Sequence, residues 1–160
     1  MDDITSLREF PIFGRLGEAD VRAFAALLRE SRTAAGTDIV TEGDTGSSMH
    51  FLVEGTVDVI KTTPFGDRFV CATFPASMHC VFGEMALMDN ERRSATVRAR
   101  TDCRTLYVER EDFDTFTAAR PLAGVELLKF IGVNLVRNIR KENENLALVY
   151  QALIEEIEGL

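Results

Sequence analysis

The sequence predicts an α+β fold: an antiparallel β barrel, roll or sandwich set between an N-terminal helical segment and a long C-terminal helix. Three observations carry this. The hydrophobic texture changes twice along the chain, from helical spacing to short β-branched runs and back again. The β-branched runs are short, closely spaced and separated by turn residues. The last segment, from Gly124 to Ile157, holds one helical pattern with no proline and only Gly132 inside it. With 160 residues and 46% hydrophobic content, the chain suits one globular domain with a real core, plus an appendage.

In chain order, LGEADVRAFAALLRESR places Val21, Phe24, Ala25, Leu27 and Leu28 at helical spacing, with Gly17 and Glu18 ahead of them. That predicts a short amphipathic helix over 16–32. From Thr37 to about Val108 the runs DIVTEGD, MHFLVEGTVDVIKTT, RFVCATF, SATVRAR and CRTLYVER read as strands, broken at Gly43-Asp44, Gly46, Gly55, Pro64 and Gly66-Asp67. Helical texture returns after Glu111-Asp112-Phe113. In the final helix Leu135, Ile139, Leu146, Val149, Leu153 and Ile157 recur at spacings near 4 and 3, with Glu142 interrupting the seam. This is the pattern of a coiled coil. A helix of this length cannot bury a full apolar stripe on a small β domain, so it predicts a homodimer seam in preference to a helix lying on its own domain.

Charge and cysteine usage narrow the function classes. The chain carries 18 Lys+Arg against 26 Asp+Glu, a formal net charge of -8, and would repel nucleic acid and anionic membrane surfaces unless its cations were segregated. Cys71, Cys80 and Cys103 are odd in number and widely spaced, which suggests neither a disulfide framework nor a zinc site. The acidic start MDDITSLREFPIF lacks the apolar core of a signal peptide, and no stretch reaches a membrane span. The expectation is a soluble cytoplasmic protein with no nucleic-acid or membrane partner and no cofactor.

One stretch departs from that acidic background. Phe82 to Val97 read FGEMALMDNERRSATV, with Arg92 and Arg93 adjacent. Gly83 followed by Glu84, Met85, Ala86 and Leu87 predicts a strand that ends at a glycine and turns into one short helical turn, whose outward N–H groups attract anions. Ten residues later the planar guanidinium of Arg93, backed by the N–H groups of Ser94 and Ala95, can meet two phosphate oxygens at once. Glu84 cannot contact a phosphate, but beside one it is suited to accept a hydrogen bond from a sugar hydroxyl. An anion with a hydroxyl implies a nucleotide. A solvated arginine turn is the plainer reading of the same residues.

The whole pattern resembles the cyclic nucleotide-binding domain family. FGEMAL, MDNER and RSATV match that family's phosphate-binding cassette. PIFGRLGEADVRAFAALL is similar to its opening helices, IVTEGDTGSSMHFLVEGTVDV to its strand–EGD turn–strand unit, and SATVRARTDCRTLYVEREDF to the bacterial catabolite activators. The resemblance implies an antiparallel β-roll (double-stranded β-helix, or jelly roll) with N-terminal helices over 1–122, and a lid and dimerisation helix over 123–160. It implies that Arg93 holds the cyclic phosphate and that Glu84 takes the ribose 2′-hydroxyl. Gly83 and Ala86, with neighbouring Met85, and Ser94 with Ala95 supply the N–H groups. Val53, Cys71 and Phe82 fall where the family has apolar residues near sugar and base, although Cys71 reads equally as a buried core thiol. Arg92 falls outside the motif and reads as a solvated neighbour.

The resemblance also has departures. Where the family has Gly-Asp in a tight turn, this chain reads FPASMHCVFGE, which predicts a longer, differently built turn around Met78, His79 and Cys80. With only His50 as a second histidine, neither a metal site nor a cupin-like enzyme is favoured. Ser94 permits cyclic AMP or cyclic GMP, and the RSA triplet, similar to the bacterial activators, favours cyclic AMP. Asn138, Glu142 and Asn145 lie along one side of the final helix, as lid residues over the base or as a solvent-facing stripe. The ending EEIEGL is too short and acidic for a helix-turn-helix. The sequence therefore predicts a non-enzymatic cyclic-nucleotide sensor acting on a protein effector through its last helix, alone or as the sensory piece of a longer chain. The alternative is a β-roll interaction module that binds no nucleotide.

Overall fold

Short β-branched runs pair here as two four-stranded antiparallel sheets in a computed structural model that describes residues 3–159. The first sheet has the order β1 (Arg29–Thr33), β8 (Cys103–Glu109), β3 (Ser48–Glu54), β6 (Val81–Phe82). The second has β2 (Asp38–Val40), β7 (Thr96–Ala99), β4 (Thr56–Thr62), β5 (Arg68–Pro75). The two sheets form a β-roll without closing into a barrel. Helices α1 (Asp3–Arg8), α2 (Glu18–Ala25), α4 (Arg110–Ala119) and α5 (Pro121–Glu158) flank it, and the short α3 (Met85–Met88) follows β6.

Side-chain alternation along β3 builds two cores at once. Met49, Phe51 and Val53 point to the helix side, where Phe51 meets Phe10 at 5.4 Å and Phe13 at 5.5 Å between ring centroids. Phe24 continues that aromatic cluster to Phe116 at 5.1 Å. Leu52, facing the opposite way, joins Val57, Phe82, Val97, Ala99 and Cys103 in a second core between the sheets.

Two elements differ from the sequence-based expectation. The helix predicted over 16–32 stops at Ala25, and Arg29–Thr33 forms an edge strand paired with β8 in the register Arg29↔Tyr107 to Thr33↔Cys103. Leu27 and Leu28 still pack on the first core, so their helical spacing is satisfied by a turn and not by a continued helix. Ladder pairing with β8 overrides local propensity there. The final helix begins at Pro121, earlier than Gly124, because proline is pre-organised for the first helical position. Ala123, Leu127 and Ile131 are buried against the roll, whereas every described residue from Val136 onward is exposed. Among the described residues no helix is long and apolar enough to cross a membrane.

The turn over FPASMHCVFGE is built around a 3-10 turn, Ala76–Met78, followed by His79 at φ 48 in the left-handed region. The His79 ring meets the edge of Phe10 at 5.5 Å, which ties the loop to α1 and its neighbouring turn.

Candidate functional site

Gly83 ends β6 at φ 79 and reverses the chain into α3. A Cβ at this position would lie 2.7 Å from Arg93 Nη1 and 2.8 Å from Ser48 O, so only glycine fits. The Ala86 N–H, expected from the sequence to serve a ligand, donates to Gly83 O at 3.1 Å within this turn. Arg110, at the start of α4, caps the far end of α3 by donating to Ala86 O at 2.7 Å through Nε and, through its other nitrogens, to Asp89 O and Asn90 Oδ1.

Arg93 is fixed at both backbone and side chain. Its N–H donates to Asp44 O at 2.8 Å, and its carbonyl accepts from Gly43 N–H at 2.9 Å, so the EGD turn holds the residue. Its Nη1 donates to Ser48 O at 2.9 Å and Nη2 to Ser48 Oγ at 3.0 Å. Every one of these side-chain acceptors is neutral. Among the described residues no carboxylate lies within ion-pair distance of this half-buried guanidinium. Burial disfavours its charged form, and only Glu109 and Glu84, acting at longer range, oppose that shift. A guanidinium stays protonated in proteins, so the site holds a partly desolvated cation without a close counter-charge.

Ser94 and Ala95 follow, just ahead of the first β7 residue, Thr96. Lys61 donates to Ser94 O and pairs with Glu42 Oε1 at 2.8 Å, joining β4, the EGD turn and the cassette. The Lys61 hydrogen bond holds the Glu42 carboxyl below its ordinary range. Glu84 is half-buried, and burial raises its carboxyl, opposed by its own backbone N–H and by Arg93. It presents a carboxylate acceptor beside the arginine, suited to a hydroxyl donor.

These groups line a cavity of about 1310 Å³. Gly83, Glu84, Met85, Ala86, Arg93, Ser94 and Ala95 form its cassette wall, and Phe82, Cys71, Val59 and Phe74 its apolar side. Asn138, Glu142 and Asn145 face it from α5, together with Asn134 and Lys141. Val53 is not brought to the cavity: strand alternation sends it to the helix-side core with Phe51. Cys71 is exposed, not a buried core thiol, and its thiol points to Val59 O at 3.3 Å. Arg92 is more than a solvated neighbour, because its Nη1 donates to Gly43 O at 2.7 Å and clips the EGD turn. Among the described residues no group of three or more His, Cys, Asp or Glu is placed to hold a metal ion.

Sequence reading missed Gly46, whose Cβ would meet Arg93 Nε at 2.4 Å, and it missed Ser48 and His50. The available signal was the i, i+2 placement of Ser48 and His50 on one strand face, which only the partner of that face makes meaningful.

A model of the cyclic nucleotide-binding domain matches residues 30–120, more than half of the chain. The chain belongs to the cyclic nucleotide-binding domain family. It is 34% identical over 111 residues to a cyclic nucleotide-gated potassium channel of Mesorhizobium japonicum, covering 69% of this chain and 29% of the channel. It is 26% identical over 148 residues to the CRP-like cAMP-activated global transcriptional regulator of Mycobacterium tuberculosis, covering 92% of this chain and 62% of the regulator. The crystal structure of Thermus thermophilus catabolite activator protein superposes with a TM-score of 0.75 at 27% identity, over 87% of this chain and 62% of that one. The chain thus spans less than two thirds of the length of these two curated relatives. In this cyclic nucleotide-binding domain the family match stops at the start of α5, while the likenesses to the regulator and the activator extend into it.

Proposed function

We propose that this domain binds cyclic AMP in preference to cyclic GMP and relays binding through α5 to a homodimer partner or a protein effector, as a regulatory module and not a catalyst. The carrying observation is Arg93: a half-buried cation, held only by neutral acceptors, at the wall of a cavity that also offers the Glu84 carboxylate. A cyclic phosphate is a monoanion that balances this one charge, and the ribose 2′-hydroxyl is the donor that Glu84 accepts. The apolar side built by Phe82, Val59 and Phe74 suits sugar and base, and Asn138 and Glu142 offer polar groups over the base. A cAMP-activated regulator among the relatives supports cyclic AMP. Binding would act on α5 by favouring one position of that helix over others.

Competitive calorimetry with cyclic AMP, cyclic GMP and linear AMP tests this reading. Cyclic AMP is expected to bind most tightly, and linear AMP, whose dianion lacks the ring geometry, most weakly. Equal affinity for all three, or no binding, would contradict it.

A further inference from the structure

Arg93 is not the end of its hydrogen-bonded chain. Ser48 Oγ, which accepts from Arg93 Nη2 at 3.0 Å, lies 2.9 Å from His50 Nε2. His50 is 6% exposed and is stacked on Phe82 at 5.1 Å, with planes 2° apart, and on Tyr107 at 5.4 Å. It therefore touches both parts of the cassette: the arginine through Ser48, and the cavity wall through Phe82.

The proton count assigns the tautomer. Arginine can only donate, so Ser48 Oγ is an acceptor toward it, and the hydroxyl proton needs an acceptor of its own. If His50 carried its proton on Nε2, the Ser48 hydroxyl proton would have no protein acceptor among the described residues and the Nδ1 lone pair would be unpaired as well, since Nδ1 is buried without a hydrogen bond. With the proton on Nδ1, Nε2 accepts from Ser48 and a single buried group remains unpaired, the cheaper arrangement. Burial and the nearby Arg93 charge both keep the ring neutral, lowering its pKa to about 4.

We propose that His50 is a positioning residue for the anion clamp, orienting the Ser48 hydroxyl so that it accepts from Arg93 and fixes the guanidinium toward the cavity. The proposal rests on the reading of Arg93 as the phosphate-binding group. Nothing in the cassette motif singles out this residue, which lies on β3, 43 positions before the arginine in the chain numbering.

A double-mutant cycle on cyclic AMP affinity, with R93L as control, tests it. H50F keeps an aromatic ring on Phe82 and Tyr107 but removes the acceptor, and S48A removes the relaying hydroxyl while leaving the Ser48 carbonyl. Each single variant should bind about tenfold more weakly, the loss expected for a hydrogen bond to a charged group. The double variant should bind no more weakly than the weaker single one, since both changes break one chain. Nitrogen-15 NMR of the unmodified protein should show the Nδ1–H tautomer at His50, a signature that packing alone would not set. An Nε2–H tautomer, wild-type affinity in H50F, or a full additional loss for H50F in the S48A background would each overturn the proposal. If H50F does not fold, the tautomer and the affinity of S48A decide it, and a wild-type S48A overturns it. An R93L variant that binds undiminished removes the reading of Arg93 and this inference with it. A crippled R93L beside unaffected S48A and H50F removes the positioning role alone.

Discussion

Gly46 and Gly83 approach the Arg93 guanidinium from two sides, and the two substitutions to alanine should separate affinity from stability. In G46A the new Cβ would sit 2.4 to 2.7 Å from Nε, Nη2 and Cζ of Arg93, atoms at the far end of a flexible side chain. The side chain can yield, so stability should change by less than about 1 kcal/mol while nucleotide affinity falls at least about tenfold. G83A forces a φ of 79 on alanine and sets its Cβ 2.8 Å from the Ser48 carbonyl, so it should also cost about 1–3 kcal/mol of stability in denaturant titrations. His50 supplies a pH prediction of definite sign. Its folded pKa, near 4, lies below the ordinary histidine value of 6.5, so the unfolded chain binds more protons between these values. Stability is full above about pH 6.5 and is lost as pH falls toward 4, by up to about 3 kcal/mol from this group. Urea titrations from pH 7 to pH 4 should show that loss, and H50F should lack this share of it.

Among the elements, β3 does the most positioning, because one face feeds the aromatic core and the other feeds the clamp. F51A would remove the ring that Phe10, Phe13 and Phe24 surround and should cost about 3–5 kcal/mol, read from a lowered urea midpoint at unchanged slope. The strand runs and the cassette were legible in sequence because they depend on local texture and on a contiguous motif. Gly83, Glu84 and Arg93 fall within eleven residues of one cassette, and the structure brings all three to the wall of one cavity. What was not legible depends on partners distant in sequence. The edge strand Arg29–Thr33 exists because β8 accepts it, and its own residues read as the tail of a helix. Val53 was placed by family position, yet strand parity puts it with Met49 and Phe51, away from the cavity. Ser48 and His50 carry no motif, and only the fold shows that their face of β3 meets Arg93 and Phe82.

At the scale of the whole molecule, α5 is both the cavity's polar wall and an apolar surface. Asn138 and Glu142 line the cavity, while Ile139, Leu146, Val149, Leu153 and Ile157 are each 49–71% exposed along a helix that has left the roll behind. A seam of this kind is the dimer surface proposed above, and sedimentation equilibrium at tens of micromolar should give twice the chain mass; a monomer throughout would contradict it. A small clamp also reconciles a net charge of -8 with an anionic ligand: one monoanion needs a local cation, whereas a polyanion needs a basic face. The central claim is that Arg93 is that cation, and a calorimetric titration of wild type and R93L with cyclic AMP, side by side, tests it most directly. The expected loss is roughly 2–5 kcal/mol, or about thirtyfold to several thousandfold in affinity, with folding intact by circular dichroism. Equal binding by the two proteins would contradict it.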